Sequence, residues 1–179
     1  MIIINPADVR SKINQQHPGE LKKVITTSGG YDPLHIGHLR SILQAKQAAE
    51  EAFGYTKFPI AFILVVIVNG TNFLIQKKGF EFMPLMERIE LIDGLKDVDI
   101  VTTWDQIGDD YTVNIPLQMI KPHFFVKGGD RIPGTVAEEA TLQEWKGKVL
   151  YGVGGENKLQ SSSSLIENVF SKSGIRLTV

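Results

Sequence analysis

His35 and His38, three residues apart with Gly37 between them, stand in the stretch TSGGYDPLHIGHLRSI from Thr27 to Ile42. The chain has only 4 histidines, so two of them side by side require an explanation. An apolar run precedes the stretch and a helical pattern follows it, which puts both rings near a helix N-terminus. Free backbone N–H groups and the helix dipole favour an anion there, and each imidazole adds an N–H donor. Gly29 and Gly30 let main chain approach a ligand closely, and Gly37 allows the same at the helix start. A phosphate group answers to this set. Two other readings stay open: a satisfied structural histidine at each position, or a metal ion shared by the pair. No third ligand and no H-E-x-x-H pattern accompany the pair, so no metal ligands are assigned.

A second cluster, QSSSSLIENV, places hydroxyls immediately before an apolar-periodic helix. One hydroxyl suffices for an N-cap. Ser161, Ser162, Ser163 and Ser164 exceed that need and read as a second phosphate contact at a helix end. The stretch VKGGDR supplies the cations Lys127 and Arg131 around Gly128, Gly129 and Asp130, a glycine-assisted turn being the plainer reading. Arg88 and Lys46 are further cations on helical segments, each readable as a solvated surface charge. Ser28, Tyr31 and Asp32 complete the loop after the first apolar run. Asp32 orients this loop, meets a metal, or simply makes an Asp-Pro turn. Neither G-x-G-x-x-G nor G-x-x-x-x-G-K-[ST] occurs, and a serine hydrolase is disfavoured because G-x-S-x-G is missing.

These residues need a scaffold that brings them together. Strands are predicted over Lys23 to Ser28, Ile60 to Val68, Val98 to Trp104, Pro122 to Gly129 and Lys148 to Gly154. Helices are predicted over Gly37 to Phe53, Met83 to Leu95, Thr112 to Ile120, Thr135 to Gly147 and Ser162 to Gly174. Residues 5–22 read as a polar leading helix broken near Pro18 and lying outside the main fold. The expected division is therefore a helical extension over 1–22 and one domain over 23–179. Alternating strands and helices predict an α/β/α sandwich around a parallel five-stranded sheet with right-handed crossovers. Each polar stretch then follows a strand, so all gather above one carboxyl edge, where open α/β folds bind ligands.

The bulk numbers narrow the partners. At 179 residues the chain can bury a self-sufficient core. Lys plus Arg number 19 against 20 for Asp plus Glu, so no global positive field points to nucleic acid. Cysteine is absent, which rules out disulfides and thiolate chemistry. The apolar run Ile60 to Val68 is about half of a membrane span, and no signal peptide is legible. The reading is a cytoplasmic protein with no membrane partner.

Taken together, GGYDPLHIGH, MERIELI, VKGGDR and SSSSLI resemble the cytidylyltransferase-like nucleotidyltransferase family, from about Lys23 to Val169. Within it, KPHFFVKGGDR and MPLMERIELI are similar to the heptose 1-phosphate adenylyltransferase type, with a glycerol-3-phosphate cytidylyltransferase type close by. Several positions depart from the pattern. Gly30 stands where relatives often have Thr or Cys, Tyr31 where they have Phe, and Arg131 where the subgroup has Tyr. SSSSLI looks closer to phosphopantetheine adenylyltransferases, and the connection FGYTKFPIA is longer than usual. The resemblance implies a Rossmann-like fold and transfer of a nucleotidyl group from ATP or CTP, with Mg2+, to a phosphorylated small molecule, releasing pyrophosphate. It gives His35, His38, Lys46, Arg88 and Ser163 the catalytic roles and places the remaining loop residues around the nucleotide. A homo-oligomer is expected. A regulatory module that keeps the pocket without chemistry is the competing class.

Overall fold

The computed structural model describes residues 1–105, 110–129, 131–155 and 160–173. Five parallel strands form one sheet: β1 (Lys22–Gly29), β2 (Ala61–Asn69), β3 (Ile100–Trp104), β4 (Phe124–Val126) and β5 (Lys148–Leu150). Their order is β3-β2-β1-β4-β5, so the direction of winding reverses between β1 and β4. Strand β2 shows why the sheet is covered on both faces. Ile63, Val65 and Ile67 enter one core, while Leu64, Val66 and Val68 enter the other.

Helices fill both faces. On one lie α2 (Ile36–Phe53) and α4 (Leu85–Asp93), whose Ile42, Ala45, Ala49, Ile89 and Ile92 join the first core. On the other lie α1 (Pro6–Gln16), α5 (Asn114–Ile120) and α6 (Glu138–Gln143), contributing Val9, Ile13, Leu117, Ile120 and Leu142. The expected Rossmann-like α/β/α sandwich is the observed architecture. Two helices complete it, α3 (Thr71–Lys78) after β2 and α7 (Ser162–Ser173) after β5.

Two expectations change. The leading helix is present but does not lie outside the fold. Asn5 caps it through Ala7 N–H, and Val9 and Ile13 are fully buried against α5 and the sheet. Before it, Ile3 N–H and the Met1 carbonyl bond to Val101, adding a bridge beside β3. Burial of one such aliphatic side chain contributes about 1.5–3 kcal/mol, enough to hold a short polar helix in place. The second change is α3, where the sequence suggested only a polar loop. Gly70 starts it, and Gly79, at φ 84°, ends it with Lys77 and Lys78 in the last turn.

Candidate functional site

The loops after β1, β2, β4 and β5 converge on one cavity of about 850 Å³ at the carboxyl edge of the sheet, over the reversal between β1 and β4. Its lining includes Ser28, Gly29, Gly30, Tyr31, Asp32, His35, Gly37, His38, Lys127, Gly128, Gly129, Arg131, Ser161, Ser162 and Ser163. The histidine loop and the serine helix therefore share one space. Asp130 lies outside the described residues.

His35 is the N-cap of α2. Its Nδ1 accepts from the N–H groups of Gly37 and His38 at 3.1 and 3.4 Å, so this nitrogen carries no proton. The two imidazoles stack with centroids 3.7 Å apart, and the Tyr31 ring meets His38 edge-on at 5.0 Å. Burial first, reinforced by the neighbouring His35 ring and the Lys77 ammonium, pushes the His38 pKa down to about 3. His38 is thus neutral near pH 7, and a neutral ring keeps one donor N–H. Its Nδ1 is buried without a partner among the described residues. Burial also raises the pKa of Tyr31, against a hydrogen bond with Thr27.

Close packing fixes the glycine positions. A Cβ on Gly29 would lie 3.0 Å from the Tyr31 ring, and one on Gly30 2.7 Å from Leu74. On Gly128 it would lie 3.0 Å from both Ser41 Oγ and the Val153 carbonyl. Gly129 has φ 69°, which an L side chain rarely adopts.

Asp32 is buried and its carboxylate is fully engaged. It accepts from Phe82 N–H at 2.8 Å, Met83 N–H at 2.6 Å and Lys78 Nζ at 2.6 Å. It orients the loop, tying the histidine segment to the approach of α4.

The four serines divide their work. Ser161 Oγ accepts from Ser164 N–H at 3.1 Å and so caps α7, with Ser164 Oγ 2.7 Å away. Ser162 Oγ donates to the Pro33 carbonyl at 2.9 Å, fastening α7 to the histidine loop. Ser163 is exposed and faces the cavity. Ser164 is absent from the lining and serves the cap.

Two expected catalytic cations do not reach the cavity. Lys46 pairs with Asp99 at 2.7 Å, ten residues into α2, or about 15 Å along its axis from the first turn. Arg88 is fully buried. Its guanidinium donates to the carbonyls of Met83, Gly30 and Asn69 at 2.9, 2.8 and 2.6 Å, and to Glu81 at 2.5 Å. It clamps the ends of β1 and β2 from beneath instead of touching a ligand.

The lining also contains groups that the sequence did not single out. Lys77 and Lys78 come from the unrecognised α3, and Asn69 ends β2 with its Oδ1 buried and unpartnered among the described residues. Glu138, at the start of α6, stands near Lys127. Burial lowers the Lys127 pKa, and the Glu138 carboxylate opposes that shift.

Fold and cavity together define a Rossmann-like α/β protein with a crevice lined by histidines, lysines and serines at its topological switch point. A family model described as cytidylyltransferase-like matches residues 26–171. The chain belongs to the cytidylyltransferase-like family. It is 29% identical over 134 residues to the "Bifunctional protein HldE" of Geobacter metallireducens, covering 72% of this chain and 23% of that protein. The chain thus spans about a quarter of the length of that relative. It is 28% identical over 160 residues to the "FAD synthase" of Methanosarcina mazei, covering 88% of this chain and 95% of that one. In fold it is similar to a pantoate-beta-alanine ligase structure from Francisella tularensis, with a TM-score of 0.57 at 15% identity, over 98% of this chain and 78% of that one. No helix among the described residues is long and apolar enough to cross a membrane.

Proposed function

We propose that this chain is a nucleotidyltransferase that moves a nucleoside monophosphate from an NTP to a phosphorylated small molecule, such as a sugar phosphate, with release of pyrophosphate. ATP is the favoured donor, on the resemblance of VKGGDR to the adenylyltransferase subgroup, and CTP is the alternative. The observation that carries the reading is the meeting of His35, His38, Ser163 and Lys127 in one cavity between the starts of α2 and α7.

In the reaction, an acceptor phosphate oxygen attacks the α-phosphorus in line. The P–O bond to the β-phosphate breaks, and pyrophosphate carries away the electron pair. No covalent enzyme intermediate forms, so the protein contributes positioning and charge stabilisation. The imidazoles donate N–H bonds to α- and β-phosphate oxygens, strengthening as charge builds on the leaving group. Ser163 and the N-terminus of α7 hold the outer phosphates. Lys127 and Lys77 balance the charge.

Mg2+ belongs with the triphosphate in this reading. Among the described residues no three acidic or histidine groups cluster as a cage, and the Asp32 carboxylate already accepts from three donors. The donor set does not fit a metal held by protein side chains, which accords with the preference of Mg2+ for phosphate oxygens and water. The test is a matrix of ATP and CTP against phosphorylated acceptors, read as pyrophosphate release. Release that depends on both substrates is expected. Tight NTP binding with no release for any acceptor would favour the regulatory module.

A further inference from the structure

The cavity crosses the edge of the sheet. Its lining joins the histidine loop and the serine helix to Tyr111, Thr112, Val113, Val136 and Glu138 around the starts of α5 and α6. Lys127 stands between them, at the end of β4. Its Nζ is 3.5 Å from Ser28 Oγ, 3.6 Å from Glu138 Oε1 and 4.4 Å from the centre of the Phe125 ring. None of these contacts is short. An ammonium with three donors so loosely held keeps capacity for a further oxygen acceptor.

Glu138 is harder to account for. It is 7% exposed, and the same Oε1 accepts from Val113 N–H at 3.4 Å, which fixes the carboxylate at the start of α5. A buried carboxylate repels phosphate; Asp32, the other carboxylate in the described lining, is met by Lys78 and two main-chain amides, whereas the cation beside Glu138 is Lys127. Its presence is explained if its target is the lysine.

We infer that Glu138 is a positioning residue that draws the Lys127 ammonium over the sheet edge, toward a phosphate oxygen of the substrate. Only the identity of that anion rests on the nucleotidyltransferase reading. The charges around Lys127 come from three elements. Glu138 on α6 favours its protonated form, while Arg131 in the following loop and Lys77 on α3 disfavour it, as does burial. His38, across the cavity on α2, is neutral. Glu138 is therefore the group in this set that favours the protonated form of Lys127.

The test compares the wild-type chain with Glu138→Gln, which keeps the shape and an acceptor for Val113, and Glu138→Asp, which keeps the charge. Lysine labelled with 13C at Cε gives the Lys127 titration by NMR, assigned by the signal lost in Lys127→Met. The midpoint should fall by about one pH unit or more in Glu138→Gln and recover in Glu138→Asp. Calorimetry with inorganic pyrophosphate supplies the second readout. Binding to Glu138→Gln should lie within about 3-fold of wild type well below both NMR midpoints and weaken about 10-fold above them. An unchanged midpoint in Glu138→Gln, or a binding defect independent of pH, overturns the inference. A wild-type chain that binds no pyrophosphate would instead refute the phosphate reading, and the NMR midpoints would still decide the role of Glu138.

Discussion

Replacing Arg88 by methionine keeps much of the volume of the side chain and removes its fork of donors. Four acceptors lose a donor: the carbonyls of Met83, Gly30 and Asn69, and the Glu81 carboxylate, which keeps the Thr71 hydroxyl. Breaking a buried ion pair from one side costs about 3–5 kcal/mol. The Glu81 side chain is 21% exposed and can recover some hydration, so the lower end, about 3 kcal/mol, is expected. For a chain of this size that corresponds to a fall in Tm of roughly 6–12 °C. Urea unfolding followed by the fluorescence of Trp104 and Trp145 measures it directly. Below the new transition, triphosphate binding should weaken only through misplacement of the β1 and β2 ends. A loss of less than about 1 kcal/mol together with abolished triphosphate binding would refute the clamp and put the guanidinium on the ligand.

Three other outcomes follow from the site. His38→Ala should lower turnover about 10²- to 10³-fold with an unchanged circular dichroism spectrum, and wild-type turnover would remove this donor from the mechanism. Stability should fall in acid. The folded pKa of His38 is pushed down to about 3 from 6.5, so between those values the unfolded chain binds the extra proton. That contribution is complete above pH 6.5 and fades toward pH 3, at up to about 1.4 kcal/mol per pH unit. His38→Gln should flatten the slope by about one proton, and parallel curves would contradict the burial argument. Lys46→Met should cost less than about 1 kcal/mol and leave nucleotide binding intact, as a half-exposed ion pair far from the cavity predicts, and weakened binding would restore the cation to the site.

Much of this architecture was legible because hydrophobic period and chain order carry it. Runs such as IAFILVVIV announce a strand covered on both sides, and alternation with helices places the H-x-G-H loop and the serine run at one edge. What escaped depends on direction and pairing. Arg88 shares the i, i+3, i+4 face of Leu85, Ile89 and Ile92, a signal that it points inward, yet two of the three carbonyls it satisfies lie 19 and 58 residues away. Lys46 sits too many turns along α2 to reach the start, which helix rise alone predicts. Helix α3 has little apolar periodicity, and its best marks are Gly79 after it and the lysine pair closing it. Glu138 acquires meaning only beside Lys127, and no spacing rule connects them.

One detail of the cap on α2 settles where a proton lives. Because main-chain amides of Gly37 and His38 point at Nδ1 of His35, a neutral ring must carry its hydrogen on Nε2. The tautomer is written into the fold itself, so Nδ1 is already occupied as an acceptor and the hydrogen sits on Nε2. Chemistry that must pull a proton from its substrate would have to find a group other than this nitrogen.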